Sequence, residues 1–224
     1  MKRSFFVFDF YTIFPSIIFV FIIWAVHYIE VAYRVNFNHY GINPKDIVGL
    51  RGVIFSPFIH GSLAHLWSNT LPLIVLPTAL FYFYREQALK ILLFGTIVTG
   101  ILTYILAING NHIGASGVIY FLVFFLLFKG IFTRNRKLIA LSFVVIFYYG
   151  SLVWYILPIK AGMSWEGHLS GAVSGLLFSL AIKVSKLPNK KFVWEEQSYN
   201  EDEDLFMQHF DAQGNFIENA LEEE

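Results

Sequence analysis

The sequence predicts an all-α, polytopic membrane protein built as a bundle of six transmembrane helices, and three observations carry that expectation. Of the 224 residues, 56% are hydrophobic and 19% aromatic, and the mean hydropathy is +0.59. A soluble domain of this length cannot bury so much apolar surface. The apolar residues gather in six long segments with no run of short alternating strands, and an open sheet edge does not survive in lipid. The Lys and Arg residues, finally, divide unevenly between the two sets of segment ends.

The segments run over residues 13–33, 64–84, 89–108, 117–132, 138–157 and 168–184. About 20 helical residues cover a hydrocarbon core of roughly 30 Å, so each is of spanning length or close to it. The N-terminal Met1-Lys2-Arg3 precedes a long apolar stretch without a small-residue cleavage site, which reads as a retained helix rather than a signal peptide. With both termini in the cytoplasm, twelve Lys and Arg residues fall inside and only Arg34, Lys45, Arg51 and Lys160 outside, as the positive-inside rule requires. The expected location is therefore the plasma or inner cell membrane, crossed several times. The stretch from Arg34 to Leu63 is too apolar for a free linker and is expected to pack on or in the outer leaflet.

The formal net charge of zero conceals a division. All sixteen basic residues lie at or before Lys191, with five acidic ones; the remaining eleven Asp and Glu follow it. The sequence thus divides into a membrane domain at residues 1–186 and an acidic cytosolic tail at 187–224, expected to be mobile. Phe206, Phe210, Phe216 and Ile217 leave room in that tail for a small folded or partner-binding element. With no Cys in the chain, disulfides, thiol nucleophiles and Cys-ligated metals are excluded.

Polar residues in membrane segments are costly and therefore candidates for function. They lie here at the external segment ends: Ser116 opens the fourth, His168 the sixth, and His65 and Asn69 begin the second. From Val118 to Phe132 the fourth segment has fifteen residues, about 22 Å at 1.5 Å each, so Ser116 is expected below the outer surface. A neutral hydroxyl is a poor nucleophile unless a His within hydrogen-bond reach takes its proton, and His168 is the candidate base. Gly114 and Gly117 allow a sharp turn and close approach. A helix N-terminus offers free N–H groups to a developing oxyanion, and His65 and Asn69, four residues apart on one helix face, add side-chain donors. Gly167, Gly171 and Gly175 form a small-residue ladder allowing close helix contact, and Tyr120, one turn after Ser116, can stack on the His168 ring.

Three stretches, spread over about 130 residues, resemble the motifs of the rhomboid intramembrane serine proteases: His60-Gly61-Ser62-Leu63-Ala64-His65-Leu66-Trp67-Ser68-Asn69, Gly114-Ala115-Ser116-Gly117-Val118-Ile119-Tyr120, and Gly167-His168-Leu169-Ser170-Gly171 with Gly175. The resemblance implies a Ser116–His168 dyad without an acidic third member, and an oxyanion site from the Ser116 N–H, His65 and Asn69. It also implies single-pass transmembrane substrates and a lateral gate and cap formed by the fifth helix and the following loop, with Phe147, Tyr148, Tyr149 and Trp154. The chain departs from the family pattern where Leu50, not Trp, precedes Arg51. Pro72 and Pro77 are expected to interrupt the second helix below Asn69, and Glu166 stands two residues before His168.

The expected partners are transmembrane protein substrates and the lipid bilayer, with no nucleic acid, no cofactor and no metal; the oligomeric state is left open. Two alternatives stand beside this reading. One is a catalytically inactive relative that binds membrane clients, and the other a transporter or metal site built from His60, His65, His112 and His168. The carboxylates and repeated halves expected of that second class are missing.

Overall fold

In the computed structural model the described residues are 9–44, 46–148, 154–159, 162–183, 199–200, 203–211 and 213–217. Seven α-helices occur among them, with no strand beyond isolated bridges. They are α1 (Phe10–Tyr33), α2 (Gly52–Phe55), α3 (Leu63–Tyr84), α4 (Ala88–Leu106), α5 (Ser116–Thr133), α6 (Arg136–Tyr148) and α7 (Trp165–Ala181). Contacts divide the chain into two units, Met1–Val184 and Ser185–Glu224.

Helices α1, α3, α4 and α5 are each long and apolar enough to cross a membrane. α7 has 17 residues, and α6 has 13 among the described positions. Residues 149–153 of the expected fifth segment, Tyr149 among them, lie outside the described residues, as does Val184 at the end of the sixth. The chain is a multi-pass helical membrane protein. Large aliphatic and aromatic side chains such as Phe21, Leu93, Ile105 and Phe147 stand exposed, the arrangement expected of helices whose solvent is lipid.

Local chemistry sets the helix ends. Asp9 accepts the Thr12 N–H at the start of α1, and Ser62 accepts the His65 N–H at the start of α3. Arg34 and Arg134 close α1 and α5 in the left-handed conformation. α3 remains helical through both Pro72 and Pro77, so the expected interruption below Asn69 does not occur. Proline removes one hydrogen bond each time but leaves the helical path available when neighbouring helices hold it. α5 begins at Ser116 itself and has 18 residues, about 27 Å of rise, so the length deficit inferred for this segment is smaller than the sequence suggested.

The core lies around α5, whose Phe121, Leu122, Val123, Phe125 and Leu126 are fully enclosed. Its most extensive partner is α7; α1 packs on α3, and α4 packs on α7. The stretch between α1 and α3 is a chain of short helical turns, which expose Ile47, Ile54 and Phe55.

Within the second unit the described residues form a small hairpin-like turn. Phe210 and Phe216 make an antiparallel bridge, and the Asp211 carboxylate accepts the N–H groups of Gln213 and Asn215 across a turn in which Gly214 has φ +81°. The rings of Phe206, Phe210 and Phe216 cluster beside it. Among the described residues 203–211 and 213–217, local turn chemistry and these three rings give a small ordered element.

Candidate active site

Ser116 is the first residue of α5, and the loop that delivers it turns at Gly114, where φ is +104°. A side chain there would be strained by the backbone and would also meet the His65 ring, since a Cβ would come within 2.5 Å of His65 Cε1. The Gly114 N–H is anchored on the Ser56 carbonyl at 2.9 Å. The α5 ladder starts with Ile119 N–H donating to the Ala115 carbonyl, so the N–H groups of Ser116, Gly117 and Val118 precede it, at the positive end of the helix dipole.

His168 sits in the first turn of α7, buried. Its Nε2 lies 2.9 Å from Ser116 Oγ, and its Nδ1 lies 2.9 Å from the Tyr155 carbonyl oxygen. A carbonyl can only accept, so Nδ1 carries the hydrogen and Nε2 presents a lone pair to the serine hydroxyl. The Tyr120 ring stacks on the imidazole at 4.2 Å with only 9° between the planes. The close approach that makes this possible comes from glycine: a Cβ on Gly171 would stand 2.3 Å from the Gly117 carbonyl oxygen of α5.

His65 and Asn69 face the same region from α3. Asn69 Nδ2 donates to His60 Nε2 at 2.9 Å, and the His60 and His65 ring centroids are 5.0 Å apart. An amide NH2 carries two hydrogens, so a second remains for a ligand. Burial holds the His60 imidazole neutral, pushing its pKa down to about 3, and His65 beside it adds to the effect. His65, Asn69, Ser116, Tyr120, Tyr155 and His168 all line one open cavity of about 1320 Å³. That exceeds the ~300–1,000 Å³ typical of sites for small ligands.

The four histidines of the metal alternative do not gather into a ligand set. His60 is engaged by Asn69, His168 by Ser116 and the Tyr155 carbonyl, and His112 by Ser164. Among the described residues no three His, Asp or Glu side chains converge as metal ligands would. Two contributors were not named from the sequence. Ser164 caps α7, accepting the Gly167 N–H, and a serine three residues before Gly167 was a readable cap signal. The Tyr155 carbonyl had no signal, because every residue carries one.

Fold and site together define a multi-pass helical membrane protein with a hydroxyl–imidazole pair held at the mouth of two tightly packed helices. Residues 49–184, more than half of the chain, match the Rhomboid domain. The chain belongs to the rhomboid family. Uncharacterized proteins of Mycobacterium tuberculosis and Mycobacterium bovis are each 37% identical to it over 150 residues, 61% of this chain and 61% of theirs. An uncharacterized protein of Mycobacterium leprae is 30% identical over 168 residues, 71% of this chain and 66% of the relative. The aligned region thus spans about 61% of the length of the first two relatives.

Proposed function

We propose that the chain is an intramembrane serine endopeptidase that cleaves single-pass transmembrane proteins through an acyl-enzyme. The observation that carries this reading is the 2.9 Å contact of Ser116 Oγ with an imidazole nitrogen left unprotonated by the Tyr155 carbonyl. His168 Nε2 takes the hydroxyl proton as Ser116 Oγ bonds to the scissile carbonyl carbon. The oxyanion that forms is met by the N–H groups at the start of α5, with the Asn69 amide and His65 as side-chain donors, and Gly114 leaves room for it. The C–N bond then breaks, and the protonated imidazole delivers its proton to the departing amine. A water molecule repeats the sequence on the ester, giving its proton to His168, releasing the carboxyl product and restoring the Ser116 hydroxyl.

The same reading takes the six segments as six passes, both termini as cytoplasmic, residues 1–186 as the protease domain and the exposed Phe147, Tyr148 and Trp154 as part of a lateral gate. It involves no cofactor or metal, since proton transfer and nucleophile both come from the chain.

The test is cleavage of a model single-pass substrate by purified protein in liposomes. Ser116→Ala and His168→Ala are each expected to reduce cleavage by at least ~10³-fold, the scale on which catalytic serines and histidines act. A fluorophosphonate should label Ser116 in the wild type and not after His168→Ala. Cleavage that persists in both variants sinks the dyad. A wild type that retains the substrate without cutting it supports the inactive, client-binding alternative instead.

A further inference from the structure

Two side-chain bridges, not one, join the start of α5 and the loop before it to the start of α7. Ser116 Oγ meets His168 Nε2 at 2.9 Å. Four residues earlier on each segment, His112 Nδ1 is hydrogen-bonded to Ser164 Oγ at 2.6 Å. The pairing is reciprocal: each segment contributes one serine and one histidine, at the same spacing.

His112 is firmly held. Only 8% of it is exposed, and its backbone exchanges hydrogen bonds with Ile42 in both directions, each 2.9 Å. Ser164 in turn governs the first turn of α7. Its Oγ accepts the Gly167 N–H at 3.3 Å and its carbonyl accepts the His168 N–H at 3.2 Å. The helix contact at this level is glycine on glycine, a Gly117 Cβ position lying 3.3 Å from the Gly167 carbonyl oxygen. Glycines permit close approach but supply no interlocking side chains, so they leave the register of the two segments weakly fixed. The His112–Ser164 bridge supplies what the glycines lack.

We propose that His112 is a positioning residue for catalysis: by gripping Ser164 it fixes the α7 N-terminus against the loop that delivers Ser116, and so sets the distance from base to nucleophile. The role rests on the protease reading above. A displacement of about 1 Å between reacting groups costs on the order of 10²-fold in rate, so the loss of one such strap is readable in kcat.

The experiment is steady-state cleavage of the model transmembrane substrate in liposomes, with variants matched to wild type for helical content and thermal transition. His112 and Ser164 also line the cavity, but their bridge acts on the distance from base to nucleophile, so His112→Leu is expected to lower kcat about 10–100-fold with KM within threefold. His112→Asn places an amide where Nδ1 stood and is expected to retain kcat within about fivefold. Ser164→Ala lowers kcat in the same direction, and the His112→Leu/Ser164→Ala pair is no slower than the worse single variant, because the two side chains form one bridge. The role is overturned by a His112→Leu protein with unchanged kcat, by an Asn variant as slow as the Leu variant, or by losses that multiply in the double. A wild type that neither cleaves nor takes the fluorophosphonate overturns the protease reading itself, and the positioning role falls with it.

Discussion

His168 makes two hydrogen bonds of unlike kind, and in the proposed mechanism the division between them matters. The Tyr155 carbonyl fixes the tautomer, and the Tyr120 face, 4.2 Å away and nearly parallel, restrains ring rotation. A carbonyl bears no full charge, so it orients the base while stabilising an imidazolium less than a carboxylate would. His60 plays a quieter part behind Asn69 and yields a pH prediction. Its folded pKa, about 3, lies below the ordinary 6.5 because burial opposes the charged ring. The unfolded chain therefore binds a proton between those values that the folded chain refuses, and stability falls as pH drops from 6.5 toward 3. At pH 5 the loss from this group is roughly 2 kcal/mol, 1.36 kcal/mol for each unit below 6.5. Thermal transitions of wild type in detergent should fall between pH 7 and 5, and those of His60→Phe should fall visibly less; equal slopes remove His60 as the cause. Of the residues named from the sequence, His65, Asn69, Ser116, Tyr120 and His168 line one cavity and Gly114 touches the His65 ring. They were legible because each is a polar or small residue in an expensive place, at a membrane segment's end. His112 was visible only as a candidate ligand, since its partner is a loop serine 52 residues away.

At the scale of elements the site depends on how closely α5 and α7 can lie. Gly171 is where they touch: its Cβ position is 2.3 Å from the Gly117 carbonyl oxygen, 2.8 Å from Tyr120 Cβ and 3.0 Å from the Phe121 nitrogen. Two of those neighbours are backbone and cannot yield, so Gly171→Ala must separate the helices. Overpacking of this kind costs about 1–3 kcal/mol, and the separation acts directly on the Ser116–His168 contact. We expect Gly171→Ala to lower the thermal transition and to reduce cleavage at least ~100-fold even at temperatures where the protein remains folded. Gly61→Ala is the control, because its Cβ would find only Ile113 Cδ1, at 3.5 Å. Comparable losses in both variants would falsify the close-contact account. At the other end of α7 the Lys129 ammonium donates to the Ser179 carbonyl at 2.9 Å and to that of Ile182, a positive charge on the carbonyls that a helix C-terminus leaves unpaired. The glycine ladder was legible as a pattern, and hydropathy placed the described ends of α1, α3, α4 and α5 within three residues. The Lys129 clamp was not, because a Lys near a basic segment end reads first as a topology signal. Nor was the continuity of α3, since proline's local cost is visible in a sequence and the neighbours that absorb it are not.

For the whole molecule the parity of the membrane passes turns on α6. Its 13 described residues rise only about 20 Å, against roughly 30 Å of hydrocarbon. If the fifth segment crosses the membrane, four passes separate the α3–α4 turn from the tail, and both lie on one side. If it does not, three passes separate them and the tail emerges opposite. Charge favours the first arrangement: Arg85, Lys90, Arg134, Arg136, Lys137, Lys183, Lys186, Lys190 and Lys191 then share the cytoplasmic face, and the positive-inside bias is kept. The lack of any Cys makes the experiment clean, because one introduced thiol is the only one present. Val35→Cys, Glu86→Cys and Gln213→Cys all replace exposed residues, one after α1, one between α3 and α4, and one in the tail. A membrane-impermeant maleimide applied to intact cells should label Val35→Cys alone, and should reach Glu86→Cys and Gln213→Cys together once the membrane is permeabilised. Labelling of Gln213→Cys in intact cells, with Glu86→Cys still protected, makes the number of passes after Glu86 odd. The six-pass arrangement then fails, and the fifth segment, with the gate assigned to it, has to lie along the membrane rather than through it.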